Sequence, residues 1–167
     1  MLPNIVRMTL ITWSMLFLLM GCTSFHSSNE VKVTSEMNEL ISDYIIQHYE
    51  GVYPESDKQF EVHKIYGAKE TGEMTSIYLY SLFQGFNKST EAEGQSGHSV
   101  PAVIKLKSKD GKYVISHYKE PQDGADFKRS LYKIFPRQYA KEALDDLKNS
   151  AGLQKEMNQK AEMWLRK

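Results

Sequence analysis

One cysteine, five prolines and no surplus of either charge leave few of the usual handles on this 167-residue sequence. A single thiol excludes an internal disulfide framework and a cysteine-rich metal centre. The 21 Lys+Arg balance the 21 Asp+Glu, so the basic footprint of a nucleic-acid-binding protein is missing and no nucleic-acid partner is expected. The histidines, His26, His48, His63, His98 and His117, include no pair at helical i,i+4 spacing and no His-Glu-x-x-His. Neither a metal nor any other cofactor is therefore expected. There is no Gly-x-Ser-x-Gly, no Ser-x-x-Lys accompanied by a partner motif and no phosphate-cradling glycine loop. Paired carboxylates for glycoside chemistry would have to come from Glu61, Glu73, Glu120, Asp123 or Asp126, none in a sequence setting that raises its pKa. No internal repeat is present.

What the sequence does contain is concentrated at its start. Met1 to Arg7 is short and positively charged, and Met8 to Met20 carries no charged residue. As a helix that run would measure about 20 Å against roughly 30 Å of bilayer hydrocarbon, short for a membrane span and suited to the apolar region of an export signal. It closes on Leu19-Met20-Gly21-Cys22, with the one cysteine last. This segment resembles the lipobox of bacterial lipoproteins. The resemblance implies that residues 1–21 are a signal peptide removed before Cys22. It further implies that the Cys22 thiol carries diacylglycerol, that palmitate-type chains anchor the protein in the cell membrane, and that the domain faces outside the cytoplasm. Two acyl chains are needed because one holds only marginally, at ~0.8 kcal/mol per buried CH₂.

Residues 22–34 are Ser/Thr-rich without a sustained period and are expected to be a flexible tether spanning about 20 Å. Residues 35–167 suit a single domain that buries about 68% of its unfolded surface. Ser35 can cap a helix whose Met37, Leu40, Ile41, Tyr44, Ile45 and His48 recur at three- and four-residue steps, with Gly51 beyond its end. Two β-rich runs, 59–69 and 74–86, flank Glu70-Thr71-Gly72-Glu73. Two more, 100–107 and 112–118, flank Lys109-Asp110-Gly111. The run at 74–86 is apolar at both parities, as a strand covered on both faces would be. Asn87–Gly97 reads as a polar loop. Residues 127–135, 137–148 and 153–166 carry helical patterns separated by Pro136 and Gly152. The order predicts an α+β domain, a four-stranded antiparallel sheet with N-terminal and C-terminal helices gathered mainly on one face, cystatin-like in outline.

The candidate binding residues are aromatic. Tyr66, Tyr78, Tyr80, Tyr113 and Tyr118 could present several rings on one sheet face, where flat amphipathic side chains suit a peptide or glycan. Cross-strand aromatic pairs also stabilise sheets without any ligand. The polar loop that runs on to His98 is the second candidate binding surface, with His98 its candidate residue. His63 and His117, on separate predicted strands, could meet across the sheet. The segments Ser96–Leu106, Tyr118–Gly124 and Ile134–Pro136 resemble a pattern in small lipoproteins of Gram-positive bacteria. A similar segment accompanies some membrane metalloproteases of the beta-lactam-sensor type, whose zinc helix this chain lacks. The cystatin inhibitory Gln-x-Val-x-Gly is also absent. The resemblance implies an extracytoplasmic accessory, binding or sensing module with an envelope protein or cell-wall partner. The alternative is an envelope enzyme using His98 or His117 with nearby carboxylates.

Overall fold

The structure, a computed structural model, describes residues 29–167. The signal segment, Cys22 and the first part of the tether lie outside the described residues. The chain forms β1 (Asn29–Glu30), α1 (Ser35–His48), β2 (Lys58–Thr71), β3 (Met74–Phe86), β4 (Gly94–Lys109), β5 (Lys112–Lys119), α2 (Phe127–Ile134), α3 (Arg137–Asp146) and α4 (Ala151–Leu165). The domain is α+β with an antiparallel sheet, but the sheet has five strands in the order β1-β2-β3-β4-β5 rather than four. The added strand comes from the stretch expected to be tether. Asn29 and Glu30 pair with Glu70 and Lys69, and the Val31 amide donates to the Ala68 carbonyl at 3.1 Å. Val31 and Val33 then pack against the core, so these two valines tie residues 29–34 to the domain.

Each hairpin is set by its turn. Gly72 has φ +61° in the β2–β3 turn, while Asp110 and Gly111 both have positive φ, the signature of a tight turn matched to strand twist. β4 begins at Gly94, six residues before the expected start, because a polar Gln-Ser-Gly-His-Ser run pairs through its backbone with β3. Gly97 is required there: at φ +154° a Cβ would lie 2.0 Å from the Phe83 carbonyl oxygen.

The helices cover both faces of the sheet rather than gathering mainly on one. Thr34 caps α1, its Oγ1 accepting from the Met37 amide at 3.3 Å, one residue before the expected cap. From α1, Met37, Ile41 and Ile45 pack on Ala68, Ile77, Leu79, Ala102, Ile104 and Leu106. On the opposite face Leu131 of α2, Phe135 just beyond it, and Tyr139, Ala140 and Ala143 of α3 meet Val103, while Met157 and Ala161 of α4 meet Val62, Leu82 and Phe86. β3 therefore sits between two helical layers, which accounts for its apolar residues at both parities. A bulge at Tyr66 bends β2 where Tyr139 crosses it. The Tyr139 hydroxyl lies 2.2 Å from where a Cβ on Gly67 would be, and it donates to Glu30 at 2.9 Å.

Candidate functional site

The α1 face carries the buried polar chemistry. Glu61, near the start of β2, is 1% exposed. Its carboxylate accepts from Ser42 Oγ and Ser81 Oγ, each at 2.7 Å, and from His63 Nδ1 at 3.0 Å. His63 Nε2 lies 3.0 Å from Asn38 Oδ1. Local periodicity assembles the group. Asn38 and Ser42 stand one turn apart on α1, Glu61 and His63 share a strand face, and Ser81 is the β3 residue paired with His63. Burial pushes the Glu61 carboxyl up, but the His63 hydrogen bond and charge and the two serine hydroxyls outweigh it and hold the group below its ordinary value. Nδ1 must carry a proton to donate to the carboxylate, and the Asn38 amide can serve Nε2 in either state by turning over.

A groove of about 640 Å³ opens over this network between α1 and α4. Asn38, Ser42, Glu61 and His63 stand on one side of it and Glu156 and Lys160 on the other. Lys160 Nζ reaches across to the Glu61 backbone carbonyl at 3.0 Å.

A second cluster lies on the same face across β3, where Phe83 pairs with Glu61 on one side and with His98 on the other. The hydroxyls of Tyr49 and Tyr118 both donate to Glu120 Oε1 and lie 3.3 Å from each other. Burial first, then the Glu120 carboxylate, pushes the Tyr118 phenol far above its ordinary range, and Tyr49 is raised for the same leading reasons; both stay neutral donors. His98 packs against Tyr49 with ring centroids 4.1 Å apart, and against Tyr53 and Phe83 at 5.6 Å each. Its Nδ1 is 3.0 Å from the Tyr53 hydroxyl, whereas Nε2 is buried with no partner among the described residues. Burial lowers the His98 pKa even though the charges of Glu120 and Glu61 oppose it, so the ring is held neutral.

The five tyrosines do not share a face. Tyr66, Tyr78 and Tyr80 lie beneath α2–α4. Tyr66 donates to Asp146 Oδ2 at 2.8 Å, and Tyr78 packs on Phe135 and Tyr139 with both centroid distances 5.4 Å. Tyr80, 1% exposed, donates to Ser99 Oγ at 3.0 Å. Tyr113 and Tyr118 pack with α1 on the other side. His98 reaches Tyr118 only through Tyr49. His63 and His117 do not meet, since β3 and β4 separate their strands; His117 is exposed and pairs with Lys105. Cys22 lies outside the described residues. Among the described residues no group of three or more His, Cys, Asp or Glu is arranged to hold a metal ion, and no helix is long and apolar enough to cross a membrane.

Sequence reasoning named Glu61 only as a possible glycosidase carboxylate and His63 only as a partner for His117, and missed Asn38, Lys160 and the groove they form together. A signal was present: Glu61 and His63 occupy two successive same-face positions of a strand that has an apolar helix to place over it. Comparison with models of protein families, with curated proteins and with solved structures finds no match for this chain.

Proposed function

We propose that this chain is a membrane-anchored extracytoplasmic lipoprotein whose domain binds a protein or cell-envelope partner through the groove between α1 and α4. The observation that carries the binding role is the groove itself: a preformed hollow whose floor is fixed by the Glu61–His63–Ser42–Ser81 hydrogen bonds. Anchoring rests on Leu19-Met20-Gly21-Cys22 and on the apolar run before it. In outline α1 across the β2–β5 meander is cystatin-like, with α2–α4 added on the far face.

The test has two parts. Metabolic labelling with a fatty-acid analogue should mark the wild-type chain and fail on Cys22→Ala, which should also leave the membrane fraction; an unlabelled, membrane-free wild type overturns the anchor. A photo-reactive residue at Asp43, on the groove rim, should capture a defined partner in intact cells that the same residue at the exposed Val114 does not. Identical captures from both positions overturn the groove as the binding surface.

A further inference from the structure

We propose that the outer edge of β2 receives a positively charged, extended peptide segment as an added strand. The inference rests on the groove's being a binding surface and names the class of its partner.

The edge is open. β1 pairs with β2 only at Lys69 and Glu70, with Val31 reaching Ala68. From Lys58 to the bulge at Tyr66 no described strand lies on that side, while β3 pairs along the whole of the other. In an antiparallel ladder, alternate residues turn both N–H and C=O to the same side. The Glu61 carbonyl faces outward, because Lys160 Nζ reaches it at 3.0 Å. Gln59 and His63, two residues away in each direction, therefore present their N–H and C=O to the same edge. Backbone groups in that state are a template for one more strand. The space beside them is hollow: the groove of about 640 Å³ continues past Ile46 into a second hollow of about 560 Å³.

Charge selects the occupant. The chain as a whole is neutral, yet Glu39, Asp43, Glu50, Glu55, Asp57 and Glu156 line these two hollows as exposed carboxylates, against Lys58 and Lys160. A trough of one sign concentrates ligands of the other and repels its own kind. A strand bearing Lys or Arg at alternate positions turns them all to one face, toward the α1 carboxylates, and turns its intervening residues toward α4. A second copy of this chain would bring the same acidic rim to the same edge, so self-pairing through β2 is disfavoured. The arriving backbone N–H takes the Glu61 carbonyl, and Lys160 swings off it.

The test uses the full chain in neutral detergent and a labelled nine-residue peptide alternating lysine with valine, read by fluorescence anisotropy. The control peptide keeps the lysines and replaces the valines with proline, which removes strand-forming N–H donors at unchanged charge. The lysine–valine peptide should bind at least about tenfold more tightly than the proline control. Asp43→Lys, a surface change verified by circular dichroism, should weaken it by a similar factor, and Glu156→Lys, on the side the valines face, should weaken it less. Lys160→Gln should tighten it, because the carbonyl is freed and a repelling charge removed. Equal binding of the two peptides overturns strand addition in favour of charge alone, and no binding of either overturns the cationic partner. A concentration-dependent dimer by sedimentation overturns it in favour of self-pairing. If the peptides fail while the Asp43 photo-probe still captures a partner, this inference falls and the binding role stands; if both fail, both fall.

Discussion

The two faces of the sheet are closed by different chemistry. α1 lays three apolar side chains over aliphatic strand residues, yet the same layer holds the Glu61–His63 group, the Tyr49–Tyr118–Glu120 group and His98, whose Nδ1 meets Tyr53 while its Nε2 has no partner among the described residues. The opposite layer is broadly aromatic, with Tyr66, Tyr78, Phe135 and Tyr139 under α2 and α3 and Phe60, Phe86 and Trp164 under α4. Its polar tips reach outward to partners at the rim, Tyr66 to Asp146 and Tyr139 to Glu30. Apolar burial holds both layers, and the far layer also buries a polar tip in Tyr80, but among the described residues the buried carboxylate, Glu61, belongs to the α1 layer. The binding groove opens on that layer, where a change of partner has the most leverage.

The largest test of this contrast is to remove one carboxylate from each layer. Glu61→Ala leaves His63 and two hydroxyls without their acceptor at the buried floor of the groove and should cost about 3–5 kcal/mol. Asp146→Ala removes the partner of Lys64 and Tyr66 at a site water can reach, and should cost about 1 kcal/mol. Denaturant midpoints for the two variants measure the difference; equal losses would erase the distinction between the faces. The sign with pH follows from the lowered Glu61 pKa. Its contribution is complete above the ordinary carboxylate value of 4.5 and is lost as the pH falls through the lower folded value, so stability drops on the acid side. Glu61→Gln should remove that part of the acid slope.

A smaller effect is expected where the aromatic layer reaches over the sheet. Gly67→Ala would put a methyl group into the Tyr139 ring, whose hydroxyl and Cζ lie 2.2 and 2.4 Å from the new Cβ position. The ring must move, at a cost of about 1–3 kcal/mol, and its bond to Glu30 goes with it. Hydrogen exchange at Asn29 to Val31 should accelerate, because the Glu30 bond reinforces a strand otherwise held by two paired residues and the packing of Val31 and Val33. Unchanged protection there would mean that Val31 and Val33 alone secure the edge strand, and that the aromatic layer has no hold on it.

The legible parts of this fold were those whose signal is local. The three- and four-residue steps of Met37, Ile41 and Ile45 marked α1 and its buried side, and Asp110-Gly111 marked its hairpin. β1 was hidden because two residues carry no period and its pairing is with Lys69 and Glu70, far along the chain. The first six residues of β4 were hidden because their strand state comes from backbone pairing with β3, while their composition is that of a loop. The tyrosines show a further limit. Tyr113 and Tyr118 have opposite parity, yet both pack with α1, because a bulge between Ile115 and His117 resets the alternation. Tyr78 and Tyr80 do share a face, but whether a face is open or covered depends on where α2–α4 return, which no strand pattern records. In the same way, the groove exists only where the separately coded α1, β2 and α4 come together.

The finest comparison sets two pairs of tyrosine hydroxyls side by side. Tyr49 and Tyr118 donate to one oxygen of one carboxylate, so loss of either leaves Glu120 with the other donor. Tyr49→Phe and Tyr118→Phe should therefore each cost only ~1 kcal/mol. The double variant strands the carboxylate against apolar rings and should exceed the sum by at least ~0.5 kcal/mol, the range of coupling between groups in one network. Across the sheet, Tyr66 and Tyr139 donate to two different carboxylates, Asp146 and Glu30, each with its own access to water. Tyr66→Phe and Tyr139→Phe should add without coupling. Thermal unfolding of the two double-mutant cycles reads both. Coupling in the first and none in the second is what a layer of interdependent polar groups facing a layer of independent ones requires, and coupling of equal size in both would show that the helices transmit as much across the aromatic layer as the shared carboxylate does across its own.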